Sequence, residues 1–150
     1  MPATAGRPQP RTSDAELAAR LRLAVSRLAR RLRRETGGEV TASQLSALHT
    51  LARLGPLTLG DLSVAEGVRP PTLTRVVASL EDLGLVTRTV DPDDRRVAHV
   101  ATTLQGDDFL EASRHRKDAF LAARLRALSA DDRAVLERAA ELLERLVEPE

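Results

Sequence analysis

Residues Arg69–Thr103, RPPTLTRVVASLEDLGLVTRTVDPDDRRVAHVATT, decide the fold. Leu73, Val76, Val77 and Leu80 fall at i, i+3, i+4 and i+7, one face of a helix. Pro70 and Pro71 precede them, in a first turn whose amides have no intrahelical partner to lose. Gly84 is placed to end that helix. Leu85–Val90 and Val97–Thr102 are short β-branched runs on either side of the polar turn Asp91-Pro92-Asp93-Asp94-Arg95-Arg96, which predicts a hairpin. A helix followed by a charged hairpin is the order that a winged helix-turn-helix needs, with the helix in a DNA major groove and the hairpin tip at the neighbouring minor groove.

Working outward, start signals recur. Ser13-Asp14-Ala15-Glu16 is a capping box opening a helix to about Arg34, with the apolar stripe Leu17, Leu21, Val25, Leu28 and Leu32. Thr36-Gly37-Gly38 ends it. Thr41-Ala42-Ser43-Gln44 is a second capping box, leading a helix through Leu45, Leu48, Leu51 and Leu54 to Gly55-Pro56. Thr58 caps a short third helix, expected to turn Leu59, Leu62 and Val64 inward and to close at Gly67. Downstream, Thr103 starts a long helix through Phe109, Leu110, Phe120, Leu121 and Leu125. Ser129-Ala130-Asp131-Asp132 caps a last one carrying Val135, Leu136, Ala139, Leu142, Leu143 and Leu146. The expected fold is mainly α with a small β-hairpin wing. Residues 1–12, rich in Pro, Gly and Ala without periodicity, read as a disordered tail. Residues 13–150 then form one domain, with the winged lobe at about 41–103. The helices at about 13–35 and 104–147 carry enough leucine for a two-fold dimer interface.

Composition narrows the function classes. With 150 residues and 42% apolar content, the chain is long enough for one compact domain. No apolar run approaches the roughly 20 residues of a membrane span, and no apolar segment follows the basic residues at the start, so a soluble, cytoplasmic protein is expected. Cysteine is absent, which excludes disulfides and thiolate metal sites. His49, His99 and His115 are scattered without metal-ligand spacing. No nucleophile–base constellation or Gly-rich phosphate loop stands out, so neither catalysis nor a cofactor is expected. The net charge of +1 gives no argument for nucleic acid, and the placement of the arginines has to carry it.

On the helix after Arg69, the apolar stripe leaves Pro71, Arg75, Ala78, Ser79 and Asp82 on the far side, with Thr72 and Thr74 flanking. Arg75 can reach guanine acceptors, Thr72 and Thr74 a phosphate or a thymine methyl, and Pro71 and Ser79 complete the expected groove face. In the wing, Asp94 is expected to brace one arginine while Arg95 or Arg96 enters the electronegative minor groove. From Thr41 to Thr103 the bases Arg53, Arg69, Arg75, Arg88, Arg95 and Arg96 face the acids Asp61, Glu66, Glu81, Asp82, Asp91, Asp93 and Asp94. A DNA reader has to segregate them. On the first helix Arg27, Arg30, Arg31 and Arg34 lie at i, i+3, i+4 and i+7. That stripe reads first as a solvated face, with a flank for DNA or a wall for an acidic ligand as alternatives.

The run from Thr72 through Gly84-Leu85-Val86-Thr87-Arg88 to Asp91-Pro92-x-Asp94-Arg95-Arg96 resembles the MarR family of bacterial transcriptional regulators. The resemblance extends from the first helix to the last. It implies a homodimer held by the terminal helices, one winged helix-turn-helix per subunit on double-stranded DNA, and Arg96 as the minor-groove arginine. It also implies a repressor released by a small-molecule effector in a cleft between the dimerisation helices and the DNA lobe. His49 and Arg53, on the second helix, are candidate polar groups for that cleft, with a solvated surface role as the first reading for both. Two positions depart from the family pattern: Thr102-Thr103 replaces Leu-Thr, and Pro70-Pro71 stands where a serine often begins the recognition helix. The alternative from another class is a winged-helix protein-interaction module that does not bind DNA.

Overall fold

The computed structural model describes residues 12–36, 38 and 40–148. Among the described residues, six helices and three strands follow in order: α1 (Asp14–Arg34), α2 (Ala42–Leu54), β1 (Leu57–Thr58), α3 (Leu59–Glu66), α4 (Pro70–Asp82), β2 (Val86–Val90), β3 (Ala98–Thr102), α5 (Leu104–Arg126) and α6 (Ala130–Val147). The expected tail, residues 1–12, lies outside the described residues except for Thr12.

The helix starts form as their side chains dictate. Ser13 with Glu16 and Thr41 with Gln44 close reciprocal capping boxes, and Thr58, Thr103 and Ser129 each accept a bond from the amide three residues on. Helix α4 ends in a Schellman motif. The Gly84 amide donates to Glu81 O at 2.8 Å and the Leu85 amide to Leu80 O at 2.9 Å, with Gly84 at φ +72°. Leu85 is therefore spent on the turn, and the strand begins one residue later than expected.

The sheet is antiparallel in the order β1-β3-β2, with Val86 opposite Thr102, Val90 opposite Ala98, and Leu57 opposite Val100. Strand β1 was not legible in the sequence: two residues carry no alternation, and only pairing with β3 makes them a strand. Thr58 both pairs with His99 and caps α3.

The core joins Leu45, Leu48 and Leu51 of α2, Leu62 of α3, Leu73, Val77 and Leu80 of α4, Val86 and Val100 of the sheet, and Leu110 of α5. Each fully buried leucine contributes about 1.5–3 kcal/mol relative to exposure. Two expected inward residues lie outside it. Leu54 is 49% exposed because steps of three residues fall short of a helical turn, and three such steps carry it around to the side opposite Leu45. Val64 is 84% exposed, since five residues from Leu59 is more than a third of a turn off its face.

Helices α1 and α6 contain no buried residue. Leu17, Leu21, Val25 and Leu28 of α1 and Val135, Leu136, Leu142 and Leu146 of α6 are exposed in the single chain. Leu28, Leu121, Leu125, Leu136 and Leu143 line an open cavity of about 520 Å³ where α1, α5 and α6 meet.

Candidate nucleic-acid interface

Helix α4 is fixed by three neighbours. Its apolar face enters the core, the buried Gln44 of α2 donates to Ser79 Oγ at 2.6 Å, and Glu81 accepts from Arg88 Nε of β2 at 2.8 Å. Its outer surface exposes Pro71, Thr72, Thr74, Arg75 and Ala78. Ser79 departs from the expected groove face. It is half-buried with its hydroxyl held by α2, because at i+6 from Leu73 it has rotated toward the helix flank. Thr74 Oγ1 donates to the Pro70 carbonyl at 2.9 Å, which orients its methyl and leaves an oxygen lone pair as acceptor. With prolines at the first two helical positions, the Thr72 and Leu73 amides both donate to Arg69 O. The first turn therefore offers no free N–H to a phosphate, and side chains have to supply those contacts.

The hairpin tip is built by its aspartates. Asp91 Oδ1 accepts from the amides of Asp93 at 2.8 Å and Asp94 at 3.2 Å, and these bonds hold the Asp91 carboxyl below the usual carboxylate range. His99 Nδ1 stands 3.9 Å from Asp91 Oδ2 and adds to that effect. Asp94 Oδ1 accepts from the Arg96 backbone amide at 3.0 Å, not from an arginine side chain as expected. The brace acts on the backbone, because a carboxylate two residues before an amide reaches it within the turn.

Part of the lobe's charge tally resolves along these bonds, while Asp82 and Asp93 stay exposed. Glu81 is committed to Arg88, Glu66 accepts from Thr50 at 2.6 Å, and Asp61 caps α3 with Thr58. Arg69, Arg75, Arg95 and Arg96 are exposed and, among the described residues, stand within 4.0 Å of no carboxylate. Arg69 was not singled out from the sequence; the signal was an arginine directly before the Pro-Pro that opens α4.

Wing and recognition helix meet at one junction. The Thr103 hydroxyl donates to Gly84 O at 2.6 Å and accepts from the Gly106 amide at 3.0 Å, while the Thr103 amide donates to Leu85 O at 3.1 Å. The end of α4, the start of β2 and the start of α5 are thus tied within a few residues.

The expected pocket groups do not come together with a cavity. His49 and Arg53 are exposed on α2 and line neither the cavity among α1, α5 and α6 nor the hollows at the start of α2. They share a helix face, in keeping with the surface role read first from the sequence. Partial burial, with Lys117 and Arg114 nearby, pushes the His49 pKa down. Among the described residues no group of three His, Cys, Asp or Glu side chains is placed to hold a metal, and no helix is long and apolar enough to cross a membrane.

Comparison with known proteins agrees with this fold. The profile of the MarR family matches residues 40–98, the second helix through the first residue of β3. An uncharacterized HTH-type transcriptional regulator of Mycobacterium leprae is 46% identical over 137 residues, 91% of this chain and 96% of that protein. The HTH-type transcriptional repressor MdtR of Bacillus subtilis is 30% identical over 62% of this chain and 60% of its own length. The crystal structure of a candidate transcriptional regulator from Pseudomonas aeruginosa, 34% identical, superimposes with a TM-score of 0.81 over 94% of this chain and 100% of that one. The chain thus belongs to the MarR family of helix-turn-helix transcriptional regulators, DNA-binding proteins and not enzymes.

Proposed function

We propose that the chain is a cytoplasmic, homodimeric, ligand-responsive repressor that reads a palindromic operator, with residues 13–150 as its working unit. The observation that carries the DNA contacts is a rigid α4–wing unit that exposes Arg75, Arg95 and Arg96 free of carboxylate partners. Arg75 reads guanine in the major groove, Thr72 and Thr74 contact phosphate or thymine methyl, Pro71 packs beside them, and Arg96, presented by Asp94, enters the minor groove with Arg95 at its edge. Arg69 adds a phosphate contact.

Dimerisation is supported by the leucine-bearing faces of α1 and α6, which bury nothing within one chain. Two recognition helices about 34–36 Å apart match successive major grooves. Repression is supported by the name of the Bacillus subtilis relative. A ligand relieves it by binding the DNA-free form more tightly than the DNA-bound form.

Fluorescence anisotropy on duplexes from the protein's own upstream region, titrated with salt and with non-specific competitor, tests this. Competitor-resistant binding that weakens steeply with salt is expected. Weak binding, equal for all sequences there and genome-wide, would point to the protein-interaction alternative.

A further inference from the structure

The wing leaves the body of the lobe along two edges, and they are held differently. On the β3 side, β1 pairs as far out as His99, which stands between Thr58 and Thr89. On the β2 side no strand follows, because the order β1-β3-β2 makes β2 an edge. Alternation puts Val86, Arg88 and Val90 on one face of β2, the face that Val86 turns into the core beside α4. Burial fades outward along it: Val86 is 3% exposed, the Arg88 side chain 30% and Val90 56%. Farther out the hairpin bonds to itself. The Asp91 amide donates to Val97 O at 2.8 Å and the Val97 amide to Asp94 O at 2.9 Å, and among the described residues no hydrogen bond runs from residues 89–97 to α4. The bond from Arg88 Nε to Glu81 Oε2, at 2.8 Å, is thus the outermost polar tie between wing and recognition helix.

Glu81 lies in the last turn of α4, which also holds Asp82 and no basic residue. Two carboxylates at the negative end of a helix oppose its dipole, and the Arg88 guanidinium brings from β2 the positive charge that this end lacks. With both side chains about a third exposed, the pair contributes little to the stability of the fold. Its effect is geometric. A ribbon gripped along one edge is free to twist and tilt, and a grip on the other edge removes that freedom. The planar guanidinium donates along a fixed direction, so the bond sets angle as well as distance. We infer that Glu81 and Arg88 are positioning residues, which set the tilt of the wing on the recognition helix so that Arg96 meets the minor groove when Arg75 is in the major groove. The inference rests on the DNA contacts proposed above. The pair sits midway between the two readers: Arg75 lies about 9 Å before Glu81 along α4, and Asp91, where the tip begins, about 10 Å beyond Arg88. With the wing held, the second contact forms at high effective concentration once the first is made. With the wing loose, the same contact has to order it first.

Two measurements on the full chain test this. Without DNA, the ¹⁵N order parameters of residues 89–97 should fall from their parent values toward the flexible range below about 0.6 in Glu81→Ala, with those of α4 unchanged. On the operator, Arg96→Ala should cost about tenfold or more in the parent but less than about threefold in the Glu81→Ala background, while Arg75→Ala costs the same in both. Exchanging the charges, Glu81→Arg with Arg88→Glu, should restore both readouts, and Glu81→Gln, which keeps a neutral acceptor, should fall between. A pair that only stabilised the fold would lower the melting temperature and leave the cost of Arg96→Ala as it was. Unchanged order parameters in Glu81→Ala, or a full Arg96→Ala cost in that background, overturn the inference. If Arg96→Ala costs nothing even in the parent, the minor-groove contact falls and its coupling with it, while the order parameters still decide whether the pair holds the wing.

Discussion

The wing tip shows how little a single charge says until its partner is known. Three aspartates against two arginines look self-cancelling in the sequence, yet Asp91 and Asp94 spend their oxygens on backbone amides and leave the guanidiniums exposed. In the proposed interface Arg96→Ala should therefore weaken operator binding by about 10- to 100-fold, the worth of one good groove contact. Its melting temperature should stay close to that of the parent, because the side chain is exposed and lies outside the core; a collapse in thermal stability would make Arg96 a structural residue. Asp91 gives a second test. Its folded pKa lies below the ordinary aspartate value of 3.8, so its stabilising bonds are fully present above that pH and are lost as pH falls through the lower folded value. Carboxyl NMR titration should find Asp91 among the low-pKa aspartates. Asp91→Asn keeps an acceptor oxygen for the Asp93 amide and should retain more DNA affinity than Asp91→Ala; the reverse order would contradict the turn's role.

Among the elements, those specified by neighbouring residues were legible and those made by distant ones were not. Ser13, Thr41, Thr58, Thr103 and Ser129 announce their helices because a cap is a bond between residues three apart. Strand β1, the inward turn of Ser79 and the junction of α4 with α5 depend on pairing across the fold, which periodicity does not encode. That junction is where a small change should cost most. A Cβ at Gly106 would run into the Leu85 carbonyl oxygen, backbone that is itself pinned by Thr103. Gly106→Ala should destabilise the fold by about 1–3 kcal/mol or more in chemical denaturation, against the small gain that Gly→Ala brings inside an unconstrained helix. An unchanged midpoint would mean that α5 can slide along the wing. The α2–α5 contact supplies a pH test with the opposite partner chemistry. The His49 pKa is lowered from 6.5, so the unfolded chain binds the proton more readily and stability falls as pH drops through 6.5 toward the folded value. Melting curves between pH 7.5 and about 5 should show this loss, and His49→Gln should flatten it.

The whole molecule is where the sequence reached furthest and the single chain shows least. The stripes on α1 and α6 predict helices with one apolar face, and the structure leaves those faces uncovered, with Leu28, Leu121, Leu125, Leu136 and Leu143 around one open hollow. Left in water, such a contiguous surface costs about 25 cal/mol for each Å² that a second copy could cover. In the proposed homodimer a charge placed there loses its hydration without gaining a partner, which disfavours association by several kcal/mol. Leu143→Asp should accordingly shift the sedimentation mass from two chains to one. Leu143 is already half-buried in the single chain, so part of its effect could be on the fold. Leu146→Asp separates the two, since Leu146 is 74% exposed and its loss removes little packing within one chain. If both variants keep a dimer mass and native circular dichroism, the interface lies elsewhere. If Leu146→Asp gives folded monomers that still bind a half-site weakly, the terminal helices hold the copies together and the winged lobe reads DNA on its own, as the separation of the two apolar regions implies.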